Sequence, residues 1–463
     1  MTDSDRTDTD QPREEGGYDL DRRAIAAILE AVEADDQQSL IDLMEPLHAA
    51  DIADLLEQID SHDRARLIRL YGQEFDGEIL SELEEGVREE VIGILHPQVL
   101  AEAVRELESD DVVDLVEDLE EPQKAVILGA LEDADRDAVT RALSYPEGSA
   151  GRLMQRETVM APQHWTVGET IDHLRAADEL PDQFYHVILV DPRMHPVGNV
   201  TLGRLMASRR DVALSDIVED MFRTIPVDQD EEDVAYAFNQ YHLISAPVVD
   251  GDGRLVGAIT IDDAMAVLDE EHEEDILLLA GVGEESALSD TVAETSRRRL
   301  PWLVVNMGTA IFASLVISQF AASIAQLVSL AILMPIVASM GGNAGTQSLT
   351  VTVRALATRD LTDANVWRVI RRELTVGLLN GLVFATVLGV IGMLWFHSPM
   401  LGAVIGMALV CNMIIAGFAG TVVPVVLDKV GVDPALASGT FVTTTTDVMG
   451  FFIFLGLASV ILL

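Results

Sequence analysis

The chain has 463 residues, one cysteine (Cys411) and a formal net charge of −48, with 78 Asp and Glu against 30 Lys and Arg. Its length predicts several domains, the lone cysteine excludes an internal disulfide, and the charge excludes nucleic acid as a partner while attracting cations. The acidity is uneven: residues 1–296 carry 72 acids and 21 bases, whereas residues 297–463 carry six and nine. Because the acids spread over the whole first part, adaptation to a salty, halophile-like cytoplasm is taken as their main cause, with a subset acting as divalent-ion ligands.

Residues 1–19 open as MTDSDRTDTDQPREEGG, which lacks the apolar core of a signal peptide and reads as a disordered acidic tail. From 20 to 150, apolar residues recur at three- and four-residue spacing behind acidic outer positions, the period of short amphipathic helices. DIADLLEQIDSHDRARLIRL, from Asp51, repeats as DVVDLVEDLEEPQKAVILGA, from Asp111, with turn or cap signals at Ser61 and Glu121-Pro122. This predicts an α-helical superhelical repeat domain, an acidic docking or sensing module with no catalytic constellation.

A second duplication follows. YHVILVDPRMHPVGNVTLGRLM (185–206) aligns with HLISAPVVDGDGRLVGAITIDDAM (242–265), and Asp191–Gly198 and Asp250–Gly257 share a seven-residue spacing. Each unit reads as helix, strand, turn, strand, helix, with Gly-Asp-Gly marking the second turn. The units resemble the CBS (cystathionine-β-synthase) domain, an α+β module that occurs as a tandem pair; domain 1 is set at 151–215 and domain 2 at 216–270. That resemblance leaves three roles open for the pair: binding an adenine nucleotide, binding ions alone, or a structural one.

The connector, 271–296, continues an acidic run of Asp262, Asp263, Asp269, Glu270, Glu271, Glu273, Glu274 and Asp275. Like charges at helical spacing repel, and either bound Mg²⁺ or high salt relieves them. A hydrated linker is the plainer account of the same residues.

Apolar segments at about 300–321, 324–353, 374–395, 400–427 and 436–463 are each long enough to span a bilayer. Arg297, Arg298 and Arg299 precede the first, Arg354, Arg359, Arg368, Arg371 and Arg372 fill the gap after the second, and Lys429 follows the fourth. The positive-inside rule then puts the N-terminal domains in the cytoplasm and the C-terminus outside. In the second segment, Pro335 can kink the helix, while Gly341, Gly342 and Gly345 permit close approach or local unwinding. Asn343, Thr346 and Gln347 add amide and hydroxyl groups, which suits a pore lining; a small-residue packing face competes. In the fifth segment, Thr443 to Thr446 precede Asp447, a carboxylate costly enough in an apolar span to mark an ion pathway. Pairing with a base is the alternative, but the other apolar segments hold no Lys or Arg.

GGNAGTQS in the second span, RALATRDL (354–361), GVDPAL, TTTTDVMGF and YPEGSAGRLM (145–154) together resemble the MgtE magnesium transporters, as does the domain order over 20–463. The resemblance implies a homodimeric Mg²⁺ channel of the cytoplasmic membrane and no enzyme activity. The second and fifth spans of both subunits would line the pore, with Asp447 facing its mate across the two-fold axis around a hydrated Mg²⁺. The connector would be a plug, held closed by intracellular Mg²⁺ bound among the soluble domains. Asp111, Asp114, Asp230, Asp263 and Glu271 fall in stretches that supply such ligands, and Glu274 and Asp275 extend the acidic set. Gly341, Gly342, Asn343, Gly345, Gln347, Gly439, Thr443 and Thr444 are the expected pore lining. Where some members have Asn-Pro after the serine at the fifth span's entrance, this chain reads Ser438-Gly439-Thr440, which leaves Gly439 only its backbone carbonyl.

No phosphate-loop string is present, so flux would run inward down its gradient, helped by about 2.3 kcal/mol per charge per 100 mV. Two other readings stay open. One is a secondary transporter or exchanger of Co²⁺ or Mn²⁺; the other is a CBS-containing membrane sensor without transport.

Overall fold

The computed structural model describes residues 20, 22–117, 119, 121–177, 180–181, 184–282 and 292–463. The acidic tail and the 283–291 part of the expected connector lie outside them. The chain divides into two units, Met1–Val267 and Leu268–Leu463.

The first unit opens with ten helices: α1 (Arg22–Glu33), α2 (Gln37–Met44), α3 (Ala49–Gln58), α4 (Ser61–Tyr71), α5 (Glu78–Ser81), α6 (Glu85–Ile94), α7 (Pro97–Glu106), α8 (Ser109–Glu117), α9 (Glu121–Ala130) and α10 (Asp133–Ala142). Helices α2 to α4 and α6 to α10 start on a twelve-residue grid, and α5 is the one shortened step. The repeat that maps Asp51 onto Asp111 is therefore five steps of a finer one. Arg64 and Arg88, two steps apart, show why the period holds. Each is buried and ties off carbonyls at the end of a preceding helix or turn: Arg64 donates to Leu56 O (2.7 Å) and Ile59 O (3.0 Å), and Arg88 donates twice to Leu83 O (3.1 Å). Each also pairs forward with an acid, Glu90 for Arg64 and Asp114 for Arg88. One apolar core runs through the stack from Ile28 to Ala142.

Next come α11 (Ala150–Leu153), β1 (Met160–Pro162), α12 (Val167–Ala176), β2 (His186–Val190), β3 (Pro196–Thr201), α13 (Leu202–Ala207), β4 (Ile225–Pro226), α14 (Glu231–Tyr241), β5 (Ser245–Val249), β6 (Leu255–Thr260) and α15 (Ile261–Ala280). The two sheets, β1-β2-β3 and β4-β5-β6, match in register: Leu189 faces Gly198 and Val248 faces Gly257, each beside a bulge. The seven-residue Asp–Gly spacing has a physical cause at each end. Asp191 and Asp250 accept backbone N–H bonds across their turns, and a Cβ at Gly198 or Gly257 would come within 2.6 Å of Val218 Cγ1 or the Gln155 carbonyl. Strands β1 and β4, two or three residues long, are too short to show an alternating pattern in the sequence.

Two boundaries differ from the sequence reading. Ala150 and Met154 pack in the core of the second module with Ile225, Val248 and Ile259, and Gln155 pairs with Ala258. The stretch placed at the end of the helical domain and the start of domain 1 thus completes domain 2, a crossing that local sequence cannot reveal. Helix α15 also runs unbroken through 270/271, so the connecting helix begins at Ile261; no Gly or Pro interrupts it before Gly281.

The second unit contains α16 (Val292–Gln319), α17 (Ala321–Gln326), α18 (Ser329–Ala357), α19 (Val366–Phe396), α20 (Pro399–Val430) and α21 (Pro434–Ile461). Caps fix the ends of the long helices: Ser398 and Pro399 start α20, Gly431 ends it at φ +76°, and Asp433 caps α21. Among the described residues, four helices are long and apolar enough to cross a membrane: those at Thr295–Gln319, Val366–Phe396, Pro399–Val430 and Gly439–Ile461. The second of the five segments expected from sequence, α18, falls outside that set because Gly, Asn, Thr, Gln and Ser interrupt its apolar run. One face of it is buried, with Val337, Gly341, Gly345, Ser348 and Leu349 packed on α20 and α21, while Ile332, Asn343, Gln347 and Val351 are exposed. It stays helical through Pro335 and Gly345, and Gly341 and Gly345 serve close approach, not unwinding. The same device seats α19 on α20: a Cβ at Gly377 would lie 2.5 Å from Met413 O, and one at Gly417 would lie 2.8 Å from Glu373 O.

Candidate functional site

In the second unit, a cleft of about 460 Å³ surrounds Asp447. Its wall includes Gly439, Thr440, Thr443 and Thr444 of α21, Thr346 and Thr350 of α18, Asn306 and Thr309 of α16, and Leu278 to Gly281 at the end of α15. The hydroxyls of Thr346, Thr350 and Thr444 donate back to carbonyls one turn earlier on their own helices, at 3.1, 3.0 and 2.6 Å. Donation in that direction leaves each oxygen as an acceptor, which suits a cation or its water shell. Among the described residues no charged side chain acts on Asp447. For the competing reading, an acid paired with a base, the described residues offer no partner.

The expected lining residues divide. Gly439, Thr443, Thr444 and Asp447 share the cleft, as does Thr346. Gly341 and Gly345 do not: they are buried in helix contacts, Gly341 against Asn412 and Gly345 against Val442 and Thr446. Gly342, Asn343 and Gln347 also lie off the cleft wall, Asn343 and Gln347 being exposed. Several polar groups of the membrane unit are not distinguished by the sequence, among them Asn306, Thr309 and Glu373. Asn306 and Thr309 are weak signals in an otherwise apolar span. Glu373 was left just outside the third segment, yet it is buried on α19 and accepts the Ser348 hydroxyl at 2.9 Å.

Leu278, which lines the cleft, packs with Leu349, Val353, Ala435 and Val442. One turn earlier on α15, burial first and then the neighbouring Asp433 push the Asp275 carboxyl up, opposed by His272. Glu271 and Glu274 lie on the same helix, both half-buried.

In the first unit, a second set of carboxylates converges. Ser109 and Gln155 hold Glu157 and Glu108 by hydrogen bonds, the first at 2.8 Å. Asp263 accepts from Thr260 Oγ1 at 2.5 Å. Burial pushes Glu108 up to about 7, helped by Glu157, Asp111, Asp263 and Asp262. Asp111 also rises to about 7, by burial and then by Asp263 and Asp114. Asp110 is pushed well above the usual carboxylate range and Asp263 is raised, burial leading in both. These are the signs of negative charge crowded without a counter-ion. Asp114 stands apart as the ion-pair partner of Arg88 at 2.6 Å, and Asp230 caps α14 by accepting from Glu232 N at 3.1 Å. Glu108 and Asp110 were not singled out in the sequence; nothing local distinguishes them from the other acids.

An exposed trio, Asp60, His62 and Asp63, could also hold a divalent cation. Its geometry follows from capping: Asp60 accepts from the His62 and Asp63 N–H groups at the start of α4.

Comparison with known proteins agrees with this layout. A divalent cation transporter family model, MgtE, matches residues 334–457, the MgtE intracellular N domain matches 47–148, and the CBS domain matches 210–270. The magnesium transporter MgtE of Thermus thermophilus is 32% identical over 449 residues, covering 96% of this chain and 99% of that protein. The Enterococcus faecalis magnesium transporter MgtE is 34% identical over 321 residues, or 69% and 71% of the two chains. Among solved structures, the cytosolic domain of the Mg²⁺ channel MgtE in complex with ATP is 28% identical, with a TM-score of 0.49, covering 52% of this chain and 99% of that one. The soluble part of a magnesium transporter is 26% identical with a TM-score of 0.48, covering 54% and 98%. By its near full-length likeness to the Thermus protein and the match of its membrane helices, the chain belongs to the MgtE family of magnesium transporters.

Proposed function

We propose that the chain is a Mg²⁺-selective channel of the cytoplasmic membrane, working as a homodimer and closed by intracellular Mg²⁺. The observation that carries this is Asp447: a carboxylate in a membrane helix, ringed by Thr346, Thr350, Thr443 and Thr444 and, among the described residues, faced by no base. Mg²⁺ gives up its waters reluctantly and takes oxygen ligands. Hydroxyls with open lone pairs can hold those waters while two Asp447 carboxylates, one from each subunit, supply charge.

Helix α18 is the fifth span in this reading. Its 29 residues extend about 43 Å, more than a bilayer core requires. It buries one face on α20 and α21, and its exposed side carries Asn343, Thr346 and Gln347. Five spans put the soluble domains in the cytoplasm and the C-terminus outside, as the Arg and Lys positions favour.

Gating rests on the two acidic sets. Glu108, Asp110, Asp111 and Asp263 form an all-oxygen donor set whose raised proton affinity reports unneutralised charge, so their chemistry fits Mg²⁺. Bound there, the ion would neutralise the first turn of α15, whose last turn lines the cleft. Asp275, Glu271 and Glu274 extend the donors along that helix. Closure is an equilibrium in which the closed state binds Mg²⁺ better. An adenine nucleotide at the CBS pair fits a cleft of about 410 Å³ lined by Arg156, Met160, His173 and Leu174.

The test is Mg²⁺ conductance of the reconstituted chain and of Asp447→Asn, with Mg²⁺ varied on the cytoplasmic side. The mutant should be silent and the wild type should close as that Mg²⁺ rises. Undiminished conductance in Asp447→Asn overturns the ion site. Saturable exchange of Co²⁺ or Mn²⁺ with no current would instead favour a carrier, and no transport of any divalent ion would favour a sensor.

A further inference from the structure

Asn412 sits on α20 with no exposed surface, and its Nδ2 donates to the Val337 carbonyl of α18 at 2.9 Å. Its Oδ1 is buried with no hydrogen-bond partner among the described residues. A leucine of similar size would avoid that cost, so satisfying its own polar groups is not what the amide is for. The space it fills is made by two glycines on two different helices. A Cβ at Gly341 of α18 would overlap Nδ2, and one at Gly450 of α21 would lie 2.8 Å from it. Oδ1 lies in the same seam, 3.2 Å from both Cβ positions. Gly341 stands one turn after the Val337 carbonyl that holds the amide, and Gly450 stands about one turn after Asp447.

We propose that Asn412 is a positioning residue for ion selectivity, its amide acting as a spacer between α18 and α21 that sets the width of the path at Asp447. The inference rests on the reading that these two helices line that path. Metal–oxygen distances for Mg²⁺ and Ca²⁺ differ by only about 0.3–0.5 Å. A spacer wedged against two glycines is rigid on that scale, because neither wall has a side chain that could yield. The single hydrogen bond to Val337 keeps the amide from rotating out of the seam.

The experiment measures Mg²⁺ and Ca²⁺ permeability of the full chain in liposomes for wild type, Asn412→Leu, Asn412→Ala and the double variant Asn412→Ala/Gly450→Ala. Asn412→Leu should still pass Mg²⁺ but lower the Mg²⁺/Ca²⁺ ratio by about tenfold, roughly 1.4 kcal/mol of discrimination. Asn412→Ala should lower it as well, and the added methyl of the double variant should restore part of the ratio. A ratio that stays at the wild-type value in all three, whether or not total flux falls, overturns the proposal and leaves Asn412 a packing residue. If Asn412→Leu does not assemble, the alanine pair carries the same test. Asp447→Asn run alongside separates the two readings: a silent Asp447→Asn with unchanged ratios sinks only this inference, whereas a conducting Asp447→Asn removes the path on which it rests.

Discussion

Thr440 donates its hydroxyl to Asn306 Oδ1 at 3.2 Å, joining the last membrane helix to α16 at the wall of the cleft that contains Asp447. The residue that replaces the family's Asn-Pro at this entrance therefore has a partner of its own. Hydrogen bonds between membrane helices average about 0.6 kcal/mol in double-mutant cycles. A cycle of Thr440→Val and Asn306→Ala, read as thermal stability in detergent, should give a coupling of that size. Additive effects would mean that the bond does not form in solution.

The acidic cluster predicts an unusual pH dependence. Glu108 and Asp111 move from ordinary values of 4.5 and 3.8 to about 7 on folding. Folding therefore takes up protons between those values and about 7, so without Mg²⁺ stability should fall as pH rises through that window and level off above it. Mg²⁺ competes with the same protons, so it should stabilise the chain more at about pH 8 than at about pH 6 and release protons on binding. Melting curves in EDTA and in Mg²⁺ check this. Equal stabilisation at both pH values would count against a metal site there.

Charge removal in the cluster should act in the opposite sense to most core substitutions. Asp111→Asn relieves repulsion from Asp263 and Asp114, so it should raise stability in EDTA while weakening the response to Mg²⁺. Asp114→Asn is the control: its partner is Arg88 and its side chain is 58% exposed, so the change should stay under about 1 kcal/mol. Arg88→Met, which strips the Leu83 carbonyl of both its donors, should cost about 1–3 kcal/mol. If the three variants melt alike, the assignment of Arg88 as a structural tie is wrong.

What could be read from the sequence depended on whether a residue stood out from its surroundings. Asp447 did, because a carboxylate is costly in an apolar span, and the threonines before it did for the same reason. Gly341 and Gly345 stood out as glycines, but whether they line a lumen or admit a neighbour depends on which helix lies opposite. In fact they admit Asn412, Val442 and Thr446. Glu108 and Asp110 could not be picked from 72 acids, because their burial arises only when the segment around Gln155 and the start of α15 fold against α8. The exchange of Ala150 and Met154 into the second CBS core was hidden likewise: such a crossing leaves no local pattern.

Leu278 offers the most direct handle on closure. It is 2% exposed, packed among Leu349, Val353, Ala435 and Val442 at the end of α15. Truncating a buried leucine typically costs about 2–5 kcal/mol, and here the loss falls on whichever state makes this contact. If that state is the closed one, Leu278→Ala shifts the equilibrium toward open by more than about tenfold, the ratio that 1.4 kcal/mol represents. The cytoplasmic Mg²⁺ needed to close half the channels should then rise by at least a comparable factor. Open-channel conductance should be unchanged, since Asp447 and its threonines are untouched. Titrating cytoplasmic Mg²⁺ against current for wild type and Leu278→Ala measures both quantities. A variant that folds normally yet closes at the wild-type Mg²⁺ concentration would show that the contact is made equally in both states, and the gate would have to lie elsewhere on α15.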